Sequence, residues 1–180
     1  MAESVPIANG SCSRYKYCMP TRDLFLITGI PGTGKTSYGE ILAREFGFAH
    51  YDLEDPQTLN RFRTIGQLVS ELLSPNKSVV VTWGFNPEDP PSLELLRQLR
   101  HVGFKLIWLD GNRPAAVRAF RKRGSVSEEL LAAQMQRIER SKIVERLKPA
   151  IVNSFDDTGQ FKSAAQLLEQ IRNTRQDSMR

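Results

Sequence analysis

The stretch Gly29-Ile30-Pro31-Gly32-Thr33-Gly34-Lys35-Thr36 decides the fold of this chain. It matches G-x-x-x-x-G-K-[ST] at every fixed position, a pattern typical of loops that bind phosphate. The pattern is evidence only when a strand precedes it and a helix follows it. Residues 24–28 (LFLIT) form an apolar run that predicts a buried strand, and residues 37–46 predict an amphipathic helix. Three side chains of that helix are expected to face the core: Ile41, Leu42 and Phe46.

Each fixed residue of this loop has a physical task in binding a nucleoside triphosphate. Gly32 and Gly34 allow the backbone to approach phosphate oxygens closely, and the helix N-terminus that follows attracts anions. Lys35 can reach the β- and γ-phosphates, and the Thr36 hydroxyl can bind Mg²⁺. The phosphate cradle is expected to comprise Ile30, Pro31, Gly32, Thr33, Gly34, Lys35, Thr36 and Ser37. We expect ATP and Mg²⁺ as cofactors, because no N-K-x-D guanine motif follows the fourth predicted strand.

Strands and helices alternate along the whole chain, which predicts an α/β fold. Predicted strands cover residues 24–28, 48–52, 78–83, 104–109 and 149–152. Predicted helices cover residues 37–46, 58–73, 90–102, 113–123, 127–146 and 160–174. Such alternation implies a three-layer arrangement, with a parallel sheet covered by helices on both faces. One domain is expected over residues 23–176, preceded by a flexible tail over residues 1–22.

Residues just after each predicted strand are the candidates for chemistry, since ligands of parallel sheets lie beyond the carboxyl ends of the strands. Asp52, after the second strand, is expected to hold Mg²⁺ together with Thr36 and to orient water or accept a hydroxyl proton. The alternative is that Asp52 caps the next turn and Glu54 is solvated. After the third strand, Trp83 and Phe85 either wall an acceptor pocket or belong to the core.

Four cations fall within six residues of the predicted helix 113–123. They are Arg118, Arg121, Lys122 and Arg123. Arginine neutralises the charge of a transferring phosphoryl group well, so at least one arginine is expected to contact the nucleotide. The alternative is that the helix dipole alone favours cations there. After the fifth strand, the loop from Asn153 is expected to pass near a nucleotide base.

The bulk composition excludes several classes of protein. The longest apolar runs are far too short to span a membrane. Cys12 and Cys18 have no His or Cys at metal-ligand spacing, so neither a zinc site nor a disulfide framework is predicted, and a cytoplasmic setting is expected. The net charge of +5 suits phosphorylated ligands. Because no dense Lys/Arg tract occurs, nucleic acid is not expected as a partner.

With these residues in place, the chain resembles the small P-loop kinases, which include the shikimate, gluconate, adenylate and dephospho-coenzyme A kinases. The resemblance implies the sheet order 2-3-1-4-5, a lid over ATP, and a monomer or weak homodimer. It places Arg118 where the family stacks an arginine on adenine, and Arg121 or Arg123 near the lid arginine. Gln134, Arg137 and the step Ile151-Val152-Asn153 resemble the end of dephospho-coenzyme A kinases.

Two departures from the family are visible. Asp52-Leu53-Glu54 looks like the Asp-x-Asp of shikimate kinases with Glu as the second acid, which argues against shikimate as the acceptor. Residues 55–77 carry only Arg61 and Arg63, fewer arginines than a nucleoside monophosphate site would need, and no long lid rich in glycine and arginine lies between residues 124 and 134.

The leading functional hypothesis is an ATP-dependent phosphotransferase acting on a small metabolite or nucleotide. Lys35, Asp52 and Arg121 are the candidate catalytic residues, Arg118 and Asn153 join the loop in binding ATP, and Thr36 and Asp52 hold the metal. The alternatives are a nucleotide-binding regulatory module that hydrolyses slowly or not at all, and a polynucleotide 5′-hydroxyl kinase. The acceptor itself has no readable code in the sequence.

Overall fold

The structure, a computed structural model, describes residues 22–124 and 127–174. Five strands and eight helices alternate along these residues. The strands are β1 (Leu24–Gly29), β2 (Ala49–Asp52), β3 (Val79–Thr82), β4 (Lys105–Asp110) and β5 (Ala150–Asn153). The helices are α1 (Lys35–Phe46), α2 (Pro56–Asn60), α3 (Ile65–Leu73), α4 (Pro90–His101), α5 (Arg113–Arg123), α6 (Glu128–Ser141), α7 (Ile143–Leu147) and α8 (Ala164–Asn173). The predicted tail up to residue 21, with Cys12 and Cys18, lies outside the described residues, as does the end of the predicted domain.

All five strands pair in parallel, in the order β2-β3-β1-β4-β5. This confirms the predicted α/β fold and the strand order. The middle strand, β1, is flanked by β3 and β4, and its register pairs Ile27 with both Thr82 and Ile107. The phosphate-binding sequence therefore leaves the sheet at its centre, with the ends of β3 and β4 on either side.

Each face of the sheet packs against its own set of helices, because side chains of a strand alternate between faces. Phe25 and Ile27 of β1 point toward α1 and α8, and Leu26 points to the opposite face. The cluster on the first face also contains Tyr38, Leu42, Leu167, Leu168 and Ile171. The cluster on the second face also contains Leu68, Leu72, Leu95, Leu96, Leu99, Ala115, Ala116 and Ile143. The predicted three layers are thus present.

Two predicted helices are each broken into two. The helix expected over residues 58–73 becomes α2 and α3, because Thr64 caps a new helix by accepting a hydrogen bond from the Gln67 backbone at 3.2 Å. The helix expected over residues 127–146 breaks at Lys142, whose φ of 48° is left-handed and ends α6. The break lets Ile143, which is 1% exposed, turn into the core.

Two further expectations about helices are wrong. Phe46 is 39% exposed instead of facing the core, because it lies in the last turn of α1 just before the left-handed Gly47. The last helix begins at Ala164 and not near residue 160, because Ser163 forms a capping box with Gln166. In the described part of the chain, no helix has the length and apolar character needed to cross a membrane.

Candidate functional site

The turn from β1 into α1 has the backbone geometry of a phosphate-binding loop. Gly32 and Gly34 have φ values of 81° and 79°, in the left-handed region that favours glycine. A Cβ on Gly32 would lie 2.1 Å from the backbone oxygen of Ala116, so α5 packs directly against the loop. Gly34 occupies the N-cap of α1 without a side-chain hydrogen bond. The first backbone N–H groups of α1 are therefore available to an anion.

Side chains inside the loop hold its shape. Thr33 is fully buried and donates a hydrogen bond to the Ile30 carbonyl at 2.8 Å. Lys35 curls back over the loop, with its Nζ 3.2 Å from the same carbonyl and 3.4 Å from that of Gly29. Ile30 is itself buried, and its N–H donates a hydrogen bond to the Leu109 carbonyl of β4 at 3.2 Å. The side chains of Ile30 and Thr33 therefore serve the loop itself and are not available to a ligand.

The predicted metal ligands meet at the ends of α1 and β2. The Thr36 hydroxyl donates a hydrogen bond to Oδ2 of Asp52 at 2.9 Å. The other carboxylate oxygen, Oδ1, accepts from the Glu54 backbone N–H at 2.9 Å. Asp52 thus caps the following turn and also contacts Thr36 at the start of α1. Its expected role in metal binding stays a prediction. A carboxylate beside a hydroxyl is a donor set that suits Mg²⁺, which usually takes one or two protein oxygens plus phosphate and water.

The His50 side chain lies near the end of β2 and contacts both β3 and α1. Its Nε2 lies 2.8 Å from the Thr82 hydroxyl at the end of β3. On its other side the ring packs over Gly39 of α1, where a Cβ would lie 2.3 Å from Nε2. Burial lowers the pKa of His50, while the nearby carboxylates of Asp52 and Glu40 act in the opposite direction. Burial therefore outweighs the two carboxylates, and the neutral imidazole is favoured.

A cavity of about 500 Å³ opens beside the phosphate loop. Its volume is in the range of small-molecule sites. The lining residues come from the loop, from the segments after β2 and β3, and from α5 and α6. They are Gly29, Pro31, Gly32, Lys35, Glu54, Gly84, Phe85, Asn86, Pro87, Phe120, Gln134, Arg137 and Ile138. The cavity thus borders the loop's lysine and also polar residues from outside the loop. We call these residues, Glu54, Gly84, Asn86 and Gln134, the polar end of the cavity.

Glu54 and Gly84 form the floor of that polar end. A Cβ on Gly84 would lie 2.2 Å from Oε1 of Glu54, so the carboxylate occupies space that only glycine leaves open. Of the two aromatic residues singled out in the sequence, Phe85 lines the cavity. Trp83 packs against Phe85 from the core side, with 5.4 Å between the ring centroids.

Several cavity residues were not identified as site residues from the sequence. Phe120, Asn86, Pro87 and Ile138 line the cavity, and Gln134 and Arg137 were noted only through the family resemblance. A signal was present on α6, because Gln134, Arg137 and Ile138 have the spacing i, i+3, i+4 and so share one helix face. Arg137 also forms an ion pair with Glu88 at 3.5 Å.

The two residues expected near a nucleotide base lie at one end of the sheet. Arg118 is exposed on α5, and its guanidinium approaches Gly159 in the loop after β5. Asn153 ends β5, and its Oδ1 accepts a hydrogen bond from the Phe155 backbone at 2.9 Å. The Asn153 side chain is therefore used within its own loop. Arg118 and the loop after β5 are brought together, as a base-binding site would require.

The loop after β5 is also tied to α1. The Tyr38 hydroxyl lies within hydrogen-bonding distance of the carbonyls of Ser154 and Lys162, at 3.0 and 2.8 Å. Burial raises the pKa of Tyr38 to about 12. Phe161 stacks on Phe155 at 4.6 Å yet stays 46% exposed beside Gly34. An exposed aromatic face therefore borders the phosphate loop.

Arg121 and Ser37 are both exposed, on α5 and α1 respectively. Phe120, and not Arg121, lines the cavity.

Over the described residues, no group of three or more His, Cys, Asp and Glu could hold a metal by itself. A divalent cation at Thr36 and Asp52 would take its remaining ligands from phosphate oxygens or water, as Mg²⁺ commonly does.

The fold is similar to those of several solved kinases of small molecules. A shikimate kinase from Acinetobacter baumannii, solved in complex with shikimate, has a TM-score of 0.54 and 18% identity over 84% of this chain and 92% of that one. A gluconokinase from Sinorhizobium meliloti has a TM-score of 0.52 and 18% identity over 83% and 89% of the two chains. A sugar kinase from Janibacter sp. has a TM-score of 0.51 and 17% identity over 83% and 91%.

No protein-family model matches the chain, and a search of curated proteins finds no similar sequence. Identities of this size show a shared fold. The expected resemblance is therefore confirmed at the level of architecture: the chain has the fold of the small P-loop kinases.

Proposed function

We propose that this protein is an ATP-dependent phosphotransferase that moves the γ-phosphoryl group of ATP to a small-molecule acceptor. One observation carries the proposal: a single cavity joins the phosphate loop, through Gly32 and Lys35, to a polar end that contains Glu54 and Gly84. A kinase needs room for an acceptor beside the phosphate loop, and a cavity bordered both by the loop and by the residues after β2 and β3 can supply it. The kinase fold of the solved neighbours supports the same reading.

The residues of the loop have distinct roles in this proposal. The backbone of residues 30–37 and the start of α1 bind the phosphates, since Gly32 and Gly34 leave room for them. Lys35 offsets charge on the β- and γ-phosphates. Thr36 and Asp52 would hold Mg²⁺, which supplies charge neutralisation when bound. Positioning and electrostatics then account for most of the rate.

The arginines of α5 complete the proposed binding site. Arg118 faces the loop after β5, where it would bind the base or ribose end of the nucleotide. Arg121 is exposed on the same helix and lies outside the cavity lining; its charge makes it the proposed clamp on the transferring phosphoryl group. Asn153 shapes the base loop through its hydrogen bond to Phe155.

The test is acceptor-dependent ATP consumption with Mg²⁺ over a panel of sugars, sugar acids, shikimate, nucleosides and nucleoside monophosphates. We expect turnover with one class of acceptor and a loss of about 10²–10³-fold in kcat in Lys35→Ala, the size typical of losing one charge stabiliser. Lys77→Ala is the matched control, because Lys77 is exposed near the amino ends of the strands, away from the loop.

Other outcomes would favour the alternatives. Tight ATP binding without stimulation by any acceptor would indicate a regulatory nucleotide-binding module. Turnover on a 5′-hydroxyl oligonucleotide, with affinity that falls steeply as salt rises, would indicate a polynucleotide kinase. Absence of ATP binding would contradict all three readings.

A further inference from the structure

The acceptor end of the cavity is richer in hydrogen-bonding groups than in positive charge. Glu54 contributes a carboxylate, and Asn86 and Gln134 contribute amides that can both donate and accept. Apolar walls come from Phe85, Pro87, Phe120 and Ile138. Groups of this kind recognise hydroxyls on a carbon skeleton, because each carboxylate oxygen accepts from a hydroxyl and each amide can pair with one.

The cations of the lining are already matched by acids or committed to the loop. Of the described residues that line the cavity, Lys35 and Arg137 are the cations. Lys35 lies over the loop carbonyls of Gly29 and Ile30. Arg137 is paired with Glu88 at 3.5 Å. An acceptor that carried its own carboxylate would meet Glu54 in the lining, and an Arg137 that is already paired with Glu88.

The Glu54 carboxylate reaches this end of the cavity from the turn after β2. It lies over Gly84, at a spot that a Cβ would fill, and the turn that presents it is fixed by Asp52, which binds the Glu54 backbone N–H. The cavity lining therefore carries a negative charge at a position that the absence of a Cβ at residue 84 leaves open.

Resting on the proposed function, we infer that the acceptor is an uncharged polyhydroxyl compound, a neutral sugar or polyol, and that Glu54 determines this specificity. In the reaction, the bond from the γ-phosphorus to the bridging oxygen of ATP breaks and a bond from the same phosphorus to an acceptor hydroxyl oxygen forms. ADP keeps the electron pair of the broken bond, and the hydroxyl proton is released to solvent.

The test uses the full chain with ATP and Mg²⁺ and matched pairs of acceptors that differ in one carboxylate. The pairs are glucose and gluconate, galactose and galactonate, and ribose and ribonate, with glucitol as an additional neutral polyol. We expect kcat/KM for the neutral member of a productive pair to exceed that for the acid by tenfold or more. Phosphorylated product is identified by ³¹P NMR, so that ATP hydrolysis alone is not counted.

The outcomes separate this inference from the function on which it rests. Turnover of acids in preference to their neutral partners would overturn the inference and leave the kinase standing. ATP binding without a phosphorylated product from any sugar, polyol or sugar acid would overturn the inference, and the kinase would fall as well only if shikimate, nucleosides and nucleoside monophosphates also gave no product.

Three variants test the role of Glu54 directly. Glu54→Gln keeps size and hydrogen bonding but removes the charge, and should lower the neutral-to-acid preference by about tenfold. Glu88→Gln removes the partner of Arg137 and should raise kcat/KM for the acid members. Glu145→Gln is the matched control, since Glu145 is exposed on α7 outside the cavity lining. It should change neither the neutral-to-acid preference nor kcat/KM for the acid members. An unchanged preference in Glu54→Gln, with thermal stability retained, would overturn the inference.

Discussion

Glycines near the cavity show how a single missing Cβ can serve different purposes. At Gly32 a Cβ would meet the backbone oxygen of Ala116 at 2.1 Å, and backbone cannot move aside cheaply. At Gly84 a Cβ would meet the carboxylate of Glu54, which is the far end of a flexible side chain. The missing Cβ at Gly32 is therefore needed for the fold of the loop, and the missing Cβ at Gly84 leaves room for the Glu54 carboxylate.

Substitution to alanine should separate these two roles. Gly84 is exposed and does not have a left-handed φ, so Gly84→Ala should change the free energy of unfolding by less than about 0.5 kcal/mol. It should nevertheless displace Glu54 and lower acceptor kcat/KM, with ATP affinity retained. Gly32→Ala should cost more than about 1 kcal/mol, because its φ of 81° is also left-handed, and should weaken ATP binding.

Urea unfolding and nucleotide titration of both variants provide the measurements for this comparison. If Gly84→Ala destabilised the protein as much as Gly32→Ala, the proposed freedom of Glu54 to move would be incorrect.

His50 should make stability depend on pH. Burial lowers its pKa below the ordinary value of 6.5, so the unfolded chain binds a proton more readily than the folded one. The stability contributed by neutral His50 is present above pH 6.5 and is lost as the pH falls toward the lowered pKa. His50→Gln, which cannot titrate, should therefore show a smaller loss of melting temperature between pH 7.5 and pH 5.5.

The other histidine of the chain is the control for this prediction. His101 is exposed at the end of α4, and His101→Gln should keep the pH dependence of the native protein. An equal effect of both substitutions would mean that the burial of His50 has no part in the pH dependence.

At the level of helices and strands, the sequence predicted the type and order of the elements better than the residues at which they begin and end. The five strands and the turn into α1 follow from short apolar runs and the glycine pattern, and all five strands are present. The breaks at residues 61–64 and at Lys142 were missed because the apolar spacing continues through them. A cap at Thr64 and a left-handed lysine are local backbone events that periodicity does not report.

The start of α8 offers a clean test of a helix cap. The Ser163 hydroxyl accepts from the Gln166 N–H at 3.3 Å, and Gln166 Oε1 accepts from the Ser163 N–H at 3.0 Å. Ser163→Ala should therefore lower the free energy of unfolding by about 1 kcal/mol. Ser70→Ala is the matched control: Ser70 is exposed inside α3, where alanine is the better helix former, so no loss is expected.

Urea denaturation of both serine variants would provide the measurement. A loss in Ser70→Ala equal to that in Ser163→Ala would show that the capping contacts contribute nothing specific.

At the scale of the whole molecule, the order in which the strands pair brings the residues of the candidate site together. The strand order puts the ends of β1, β2 and β3 side by side, which brings Lys35, Asp52 and Gly84 to one edge of the sheet. The sequence predicted this convergence for the loop and for Asp52. It did not predict the cavity, because Phe120, Gln134 and Arg137 become neighbours only when α5 and α6 fold over the loop.

Because the residues of the candidate site are far apart in the sequence, a ligand that binds there should raise the free energy of unfolding of the whole protein. A ligand that binds only the folded state adds about 2.7 kcal/mol to the free energy of unfolding at a concentration of 100 times its Kd. We expect ATP to raise the melting temperature, and Mg²⁺ with ATP to raise it further, since Thr36 and Asp52 share a hydrogen bond at the proposed metal position. Thr36→Val keeps the shape of the side chain and removes the hydroxyl, so it should abolish most of the additional shift from Mg²⁺.

The matched control for Thr36→Val is Thr58→Val. The Thr58 hydroxyl also donates to an aspartate, Asp55, at 3.1 Å, but in α2 and outside the cavity lining. Thr58→Val should therefore lose a comparable hydrogen bond and keep the full effect of Mg²⁺. Thermal unfolding of both variants with ATP, in Mg²⁺ and in EDTA, separates a metal position from a merely structural contact. An undiminished Mg²⁺ effect in Thr36→Val would place the cation elsewhere, because a structural hydroxyl affects the protein with and without metal alike.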